Sequence, residues 1–440
     1  MSTICAIATA KGGAIGIIRV SGPDSIAITD RIFRGRRKLI DAPGYSLHYG
    51  TIVTSPSPLG ERVSRSDGSG APIDDVLVSL FRAPHSYTGE DSVEISAHGS
   101  PYILQTICSL LIAEGCLPAQ PGEFTQRAFL NGKLDLTQAE AVADLIASQN
   151  ASQHRVAMQQ MRGGISQKLT NLREQLLQLT SLLELELDFS EEDVEFASRQ
   201  QLLSIARDVQ QEITRLSSSF STGNAIKNGI PVAIIGAPNV GKSTLLNALL
   251  HDDRAIVSDI QGTTRDTIED TVTISGISFR FIDTAGIRHT SDTIEQLGIE
   301  RSLKAAERAQ IIILMRDDDS DYPSFEARED QTVIRVHNKS EQFQALTGKG
   351  MEWLEQELLN STPAISDDDV LITNIRHKQA LDISLTDIER TILALEQNLP
   401  GDLIAEDLRQ CLHHLAEITG GAIDEEEVLG NIFKHFCIGK

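Results

Sequence analysis

The chain has 440 residues, of which 40% are hydrophobic and 23% charged, with a formal net charge of −23. That length supports roughly two to four domains with cores of their own, in a composition typical of globular proteins. The acidic balance excludes a general attraction to nucleic acid, so any RNA contact needs a local basic patch. Five cysteines (Cys5, Cys108, Cys116, Cys411, Cys437) include no CxxC pair, so neither a zinc site nor a disulfide framework is indicated and a reducing compartment fits.

The N-terminus carries no basic stretch followed by an apolar core, and no apolar run approaches the roughly 20 residues that cross a bilayer, so a cytoplasmic protein is expected. From Ile4 to about Leu117 the pattern is mixed: Ile15 to Val20 and Val76 to Phe81 read as strands, and Tyr102 to Ala113 as a helix. Arg31, Arg34, Arg36, Arg37 and Lys38 form one basic cluster, read as a solvated loop. Pro56 to Pro72, rich in Ser, Gly and Pro, reads as a surface loop.

After Gly132 the character changes. Thr137-Gln-Ala-Glu140 reads as a capping box opening a helix whose apolar face carries Ala139, Val142, Ala143 and Ile146. Leu172, Leu176, Leu179, Leu183 and Leu187 step by three or four along a long helix, and Leu202, Ile205, Val209, Ile213 and Leu216 repeat the stripe. It resumes with Leu381, Leu385, Ile388, Ile392 and Leu395, then Leu408, Leu412, Leu415 and Ile418. Between the two helical blocks, 132–228 and 365–440, lies an alternating strand and helix region, 229–364. An α/β domain inserted into a helical one, within a multidomain α+β and α/β chain, is the economical reading.

The inserted region carries Gly236-Ala237-Pro238-Asn239-Val240-Gly241-Lys242-Ser243 directly after the apolar run Val232 to Ile235. This is a phosphate-binding loop between a strand and a helix. Its glycines let backbone N–H groups turn inward around phosphates, Lys242 reaches their outer oxygens, and Ser243 offers a hydroxyl to Mg²⁺. Asn239, Val240, Gly241, Lys242, Ser243 and Thr244 are the expected contacts. Downstream, Gly262-Thr263-Thr264-Arg265-Asp266 suits a switch loop in which Thr264 closes onto Mg²⁺ while a γ-phosphate is present. Asp283-Thr284-Ala285-Gly286 follows the strand-like Phe279 to Ile282 and supplies a carboxylate toward Mg²⁺ and a glycine N–H toward the γ-phosphate. In this order and spacing the motifs indicate a Ras-like GTPase.

Asn338-Lys339-Ser340-Glu341 occupies the guanine-reading position after the strand Val333 to Val336. Glu341 stands where an aspartate grips two guanine donors and is one methylene longer, so the bidentate fit must be rebuilt or is lost. Few residues separate Met315 from Asn338 and fewer separate Glu341 from Gly350, so part of the usual fold's edge is expected to be trimmed. Ile287 takes the place of the water-orienting glutamine and has no polar group for that work, leaving Asp292 and Glu295 as acidic candidates. Asn239 either holds a monovalent cation that offsets developing charge or simply stabilises its loop.

The chain resembles the bacterial MnmE (TrmE) family of tRNA modification GTPases, within the TrmE-Era-EngA-YihA-Septin-like class. Besides the GTPase motifs, the resemblance runs through Gly16-Ile-Ile-Arg19-Val-Ser-Gly22, Tyr87-Thr-Gly-Glu-Asp91, the block Pro121 to Asp135, and Cys437-Ile438-Gly439-Lys440. It implies that residues 1–131 form a tetrahydrofolate-binding domain that also makes a homodimer. It further implies a potassium-stimulated GTP hydrolase that pairs with the FAD-containing protein MnmG in a heterotetramer. The pair installs a 5-carboxymethylaminomethyl or aminomethyl group on the wobble uridine of certain tRNAs, with carbon from 5-formyltetrahydrofolate or methylenetetrahydrofolate.

By the same resemblance Arg19, Glu94, Lys133 and Lys440 contact the folate, whose carboxylates suit Arg and Lys and whose pterin offers donors to a glutamate. Asn239, Ser258, Ile260 and Thr263 match K⁺ positions, and Ser243 and Thr264 match Mg²⁺ ligands. Asp259, Gln261 and Gly262 join the GTP contacts. Glu295 falls at the water-activating acid, and Cys437 is associated with the modification chemistry. The competing reading is a GTP-switched binding module, such as a ribosome-assembly GTPase without modification activity. The N-terminal blocks and Cys437 favour the enzyme.

Overall fold

The computed structural model describes residues 2–10, 12–54, 70–188, 198–251, 270–282, 304–362, 369–421, 432–433 and 436–439. The chain divides into two compact units, Met1–Ala143 with Thr419–Lys440, and Asp144–Ile418.

The first unit is built on a seven-stranded sheet of β1 (Ile4–Ile7), β2 (Ile15–Ser21), β3 (Phe33–Gly35), β4 (Ser46–Val53), β5 (Pro72–Phe81), β6 (Ser92–His98) and β7 (Leu117–Pro118). Their order is β3-β4-β5-β6-β2-β1-β7. Val76, Val78 and Leu80 point into the core while Leu77 between them is exposed, the period-two pattern of a half-buried strand. Helices α1 (Ser25–Ile32) and α2 (Pro101–Ala113) cover the apolar face with Ile26, Ile32, Leu104, Ile107 and Leu111. Pro72, expected to close a loop, instead opens β5, beside a register shift at Ile52 and Val53. The first residue of a strand tolerates the missing N–H.

Helices α3 (Glu123–Leu130) and α4 (Leu136–Ala147) follow. The capping box of α4 sits two residues earlier than the sequence pattern suggested. Asp135 Oδ1 accepts from the Gln138 N–H at 3.0 Å, and Gln138 Oε1 accepts from the Asp135 N–H at 3.0 Å. The Thr137 hydroxyl donates to the same carboxylate, so it serves the cap that Asp135 makes. Ile146 is exposed, off the buried face of Leu136, Ala139, Ala141 and Val142. Phe433 packs with Leu136 and Ala139.

In the second unit, α5 (Ala151–Met161), α6 (Gly164–Asp188), α7 (Arg199–Ser218) and α8 (Phe220–Asn228) precede a nucleotide-type domain, and helices Ile375–Glu396 and Gly401–Thr419 follow it. Leu172, Leu176, Leu179 and Leu183 share one core with Leu202, Val209, Ile213, Leu216, Leu381, Ile388, Leu395, Leu408 and Leu415. Helices from both sides of the intervening domain therefore bury their stripes against each other. Leu187's side chain lies outside the described residues.

The intervening domain holds β8 (Ile230–Gly236), α9 (Lys242–His251), β9 (Asp270–Ile274), β10 (Ile277–Phe281), β11 (Ile311–Arg316) and β12 (Thr332–His337). The sheet order is β12-β11-β8-β10-β9, parallel except for β9 at the edge. Ile311 to Met315 is buried without a break, as a parallel strand covered on both faces requires. After β12 no further strand forms among the described residues: one isolated bridge, Gln344 to Lys349, precedes the helix Met351–Asn360. The β9–β10 hairpin turns through Ser275 (φ 48) and Gly276 (φ 82), a primed turn suited to the strand twist. Asn150, which caps α5 by accepting from the Gln153 N–H, donates to Ser278 Oγ at 2.8 Å and fastens this hairpin to the helical part. Among the described residues no helix is long and apolar enough to cross a membrane.

Candidate functional site

At the C-terminal end of central strand β8 the chain turns into α9, the position at which open α/β sheets bind ligands. Two glycines make the turn possible. A Cβ on Gly236 would lie 2.7 Å from the Met315 carbonyl oxygen, and Gly241 adopts φ +99 with only 2.3 Å to Asn338 Nδ2. Asn239 takes the left-handed conformation at φ 63 and has an exposed side chain. Lys242 donates from Nζ to the carbonyls of Gly236 (2.8 Å) and Ala237 (2.9 Å), which holds its ammonium against the loop. Burial holds the Lys242 pKa below the ordinary lysine range. An anion brought to the loop favours the charged form.

The Asn-Lys turn is clamped onto this loop. Asn338 is buried; its Nδ2 donates to the Val240 carbonyl at 2.7 Å and its Oδ1 accepts from the Ala345 N–H at 3.0 Å. Lys339 donates to the Asn239 carbonyl at 3.0 Å and to Asp317 Oδ2 at 2.7 Å. The Lys339 ammonium, aided by the Ser320 hydroxyl, holds the Asp317 carboxyl below the usual carboxylate range. Glu341 is exposed, two residues beyond Lys339. Sequence reading missed Ala345 and Asp317. Neither has a distinctive side-chain motif: Ala345 acts through its backbone, and Asp317 is one of three consecutive aspartates.

In the other unit Arg19 on β2 stands directly opposite Glu94 on β6. Arg19 Nε and Nη2 both donate to Glu94 Oε1, at 3.0 and 2.8 Å, and Nη1 donates to the Gly439 carbonyl at 3.2 Å. The guanidinium lies 5.3 Å from the Tyr87 ring centre and 5.6 Å from that of Phe124. Arg19 and Glu94 line a cleft of about 70 Å³ with Phe81, Tyr87, Thr88 and Ser92. Burial raises the Tyr87 pKa, and its hydroxyl is paired with Thr125 Oγ1 at 2.8 Å. Lys133 donates to the Pro84 carbonyl at 3.2 Å and passes beside Gly89, at the edge of the Tyr87 loop. Cys437 is exposed, with its carbonyl accepting from the Gly122 N–H at 3.3 Å. Tyr87, Phe81 and Phe124 were not singled out as site residues by the sequence reading.

The structure thus brings Asn239 to Thr244 together with Asn338 and Lys339, and Arg19 together with Glu94 and the Gly439 backbone. Ser258, Asp259, Ile260, Gln261, Gly262, Thr263, Thr264, Asp283, Thr284, Ala285, Gly286, Asp292, Glu295 and Lys440 lie outside the described residues.

A phosphate loop on the central parallel strand, gripped by an Asn-Lys turn that follows β12, defines a phosphate-loop nucleotide domain of the Ras-like GTPase type. Comparison with known proteins narrows this. A family model described as "MnmE helical domain" matches residues 136–437, and one described as "GTP-binding protein TrmE N-terminus" matches residues 3–133. The chain is 52% identical over 479 aligned positions to the tRNA modification GTPase MnmE of Bacteroides fragilis strain YCH46, covering 100% of this chain and 99% of that one. It is 46% identical over 476 positions to the protein of the same name from Flavobacterium johnsoniae, again over 100% and 99% of the two chains. Among solved structures, Era of Aquifex aeolicus bound to GDP.AlF4- is 25% identical over 36% of this chain and 65% of that one, with a TM-score of 0.22. The chain belongs to the MnmE (TrmE) family of tRNA modification GTPases, and is a GTP hydrolase. Aligned lengths above this chain's 440 residues mean that these relatives carry segments it lacks.

Proposed function

We propose that this protein is a potassium-stimulated GTPase which acts with an FAD-containing partner of the MnmG type in the cytoplasm. The pair builds a 5-carboxymethylaminomethyl or aminomethyl group on the wobble uridine of certain tRNAs from a folate-derived carbon. The observation that carries this reading is the pairing, in one chain, of a clamped phosphate loop with an arginine–carboxylate cleft walled by aromatic rings. The names of its relatives, tRNA modification GTPases, support tRNA as the substrate. The domain scheme goes with it: 1–131 for folate and dimerisation, 132–228 and 365–440 helical, 229–364 for GTP.

In this reading Lys242 and the backbone of Gly241 to Thr244 hold the phosphates, with Ser243 and Thr264 as Mg²⁺ ligands. Asn239, whose carboxamide has no bonding partner among the described residues, offers K⁺ an oxygen donor together with Ser258, Ile260 and Thr263. Bound Mg²⁺ and K⁺ supply positive charge to the phosphoryl oxygens. Glu295 activates the attacking water, Asp283 to Gly286 face the γ-phosphate, and Asn338, Lys339 and Glu341 face the base. In the second cleft Arg19 occupies one oxygen of Glu94, and a carboxylate so held suits the N–H edge of a pterin. A volume of about 70 Å³ takes a ring edge, while the folate's own carboxylates suit Lys133 and Lys440. Cys437 takes part in the modification step. A homodimer is supported by the outer face of the sheet, where Leu47, Tyr49 and Leu77 are exposed side by side.

The test has two arms. Purified protein should hydrolyse GTP faster in KCl than in NaCl of equal ionic strength, and Glu295→Ala should bind GTP without turning it over. Wobble uridines in tRNA from a strain lacking the protein should lose the modification; unchanged tRNA would instead favour a GTP-switched binding module.

A further inference from the structure

We propose that the basic edge of the first unit, Arg31 to Lys38, is the surface on which the phosphate backbone of the tRNA docks; this rests on the tRNA reading above. The cluster runs Arg-Ile-Phe-Arg-Gly-Arg-Arg-Lys without an acid, and all five basic residues are exposed while Ile32 and Phe33 are buried. β3, which carries Arg34, is the terminal strand of its sheet, so the cluster follows an edge that no strand of the described residues pairs with.

A run of three consecutive cations without an acidic partner among the described residues, Arg36-Arg37-Lys38, marks it. Several cations elsewhere are matched to acids: Arg207 with Glu396, Arg215 with Glu212, Lys227 with Asp144, Arg328 with Asp330, Lys378 with Asp382, and Arg390 with Asp387 and Asp407. Within the cluster Arg31 alone has an acidic partner, Glu114 at 3.4 Å. Arg34 bonds the carbonyls of Arg31 and Phe33, and Arg36, Arg37 and Lys38 have no partner among the described residues. In a chain of net charge −23 such a run repels nothing that is anionic and is the kind of local surface an RNA requires. Charged residues also guard sheet edges against pairing, but of this cluster only Arg34 lies on β3 itself.

The position suits the substrate. Four strand spacings separate β3 from β2, which carries Arg19, so the basic edge lies roughly 19 Å from the Arg19–Glu94 cleft on the same sheet. Phosphates held at the edge would keep the nucleic acid within a few nucleotides of the cleft.

The experiment uses the full chain with Arg36→Gln, Arg37→Gln and Lys38→Gln combined, binding unmodified tRNA at several salt concentrations. Exposed side chains outside the nucleotide site are replaced, so GTP hydrolysis without tRNA should match the parent. The expected result is weaker tRNA binding and a plot of log K against log salt flatter by about 2 to 3 units, one phosphate contact for each charge removed. An unchanged slope and affinity would overturn the inference while leaving tRNA as the substrate. A parent chain that binds no tRNA would overturn both. Loss of binding to phosphatidylglycerol vesicles with tRNA affinity intact would reassign the edge to a membrane surface and equally overturn it.

Discussion

The phosphate loop and the Arg19–Glu94 cleft hold their ligating groups in opposite ways. The loop is local: eight consecutive residues supply its glycines, its lysine and its serine, and α9 follows at once. The cleft is assembled: β2, β6 and the C-terminal segment meet at one guanidinium, with Arg19 and Gly439 separated by 420 positions. A local site depends on backbone geometry that a few residues dictate, whereas an assembled site depends on the register of a whole sheet. Arg19 faces Glu94 because seven consecutive pairs, Ile15 with His98 to Ser21 with Ser92, hold the strands in step. A slip by one residue would turn every side chain of β2 to the other face.

The comparison predicts that damage to either site stays there. Lys242→Met should lower GTP turnover by about 10²–10³-fold, the scale for removing a donor aimed at developing charge. Folate binding should be unchanged in this variant, and a joint loss in titration would break the separation. pH sharpens the point. Burial lowers the Lys242 pKa, so the ammonium is present below that lowered value and lost as pH rises through it. GTP affinity in the parent should therefore fall as pH rises through that lowered value and stay flat in Lys242→Met, measured by titration at fixed ionic strength. Arg19→Met is the reciprocal case. It leaves Glu94 without its cation and the Gly439 carbonyl without its donor, which should weaken folate binding by about 10–100-fold, or roughly 1.4–2.7 kcal/mol of lost charge-assisted bonding. GTP hydrolysis should not change.

Legibility followed the same division. The phosphate loop, its strand and the leucine stripes were readable because period and spacing are properties of neighbouring residues; Leu172 to Leu183 and Leu381 to Leu395 do share one core. The α4 cap was misread because Thr137 and Asp135 both fit the pattern at short range, and the carboxylate took the acceptor role. The cleft was visible only through family resemblance, since nothing near Arg19 in sequence announces Glu94. Ala345 was invisible for a different reason: a backbone N–H carries no signature.

Asn338 lies between the two cases, a motif residue whose work is long-range. It spans Val240 and Ala345, 98 and seven positions away, and both partners' groups would be left unpaired by truncation. Asn338→Ala should cost about 2–3 kcal/mol in urea unfolding and weaken GTP binding by about tenfold. A variant with parental stability but weaker binding would mean that Asn338 reads the base without holding the loops.

The smallest expected effect concerns Glu341. It is exposed, next to a turn that Ser340 builds by donating to the His337 carbonyl and accepting from the Phe343 N–H. Its carboxylate is therefore on a longer, freer arm than an aspartate would give, and ordering that arm against a base costs side-chain entropy, about 1 kcal/mol or less. Glu341→Asp should change the preference for GTP over ITP, which lacks the 2-amino donor, by only a few-fold, with turnover at saturating GTP unaltered. A larger gain would show that the clamp of Asn338 and Lys339 already presents a full guanine site and that Glu341 alone holds it back. No change in the ratio would place base selection in the backbone around Ala345, making even this motif position an assembled site.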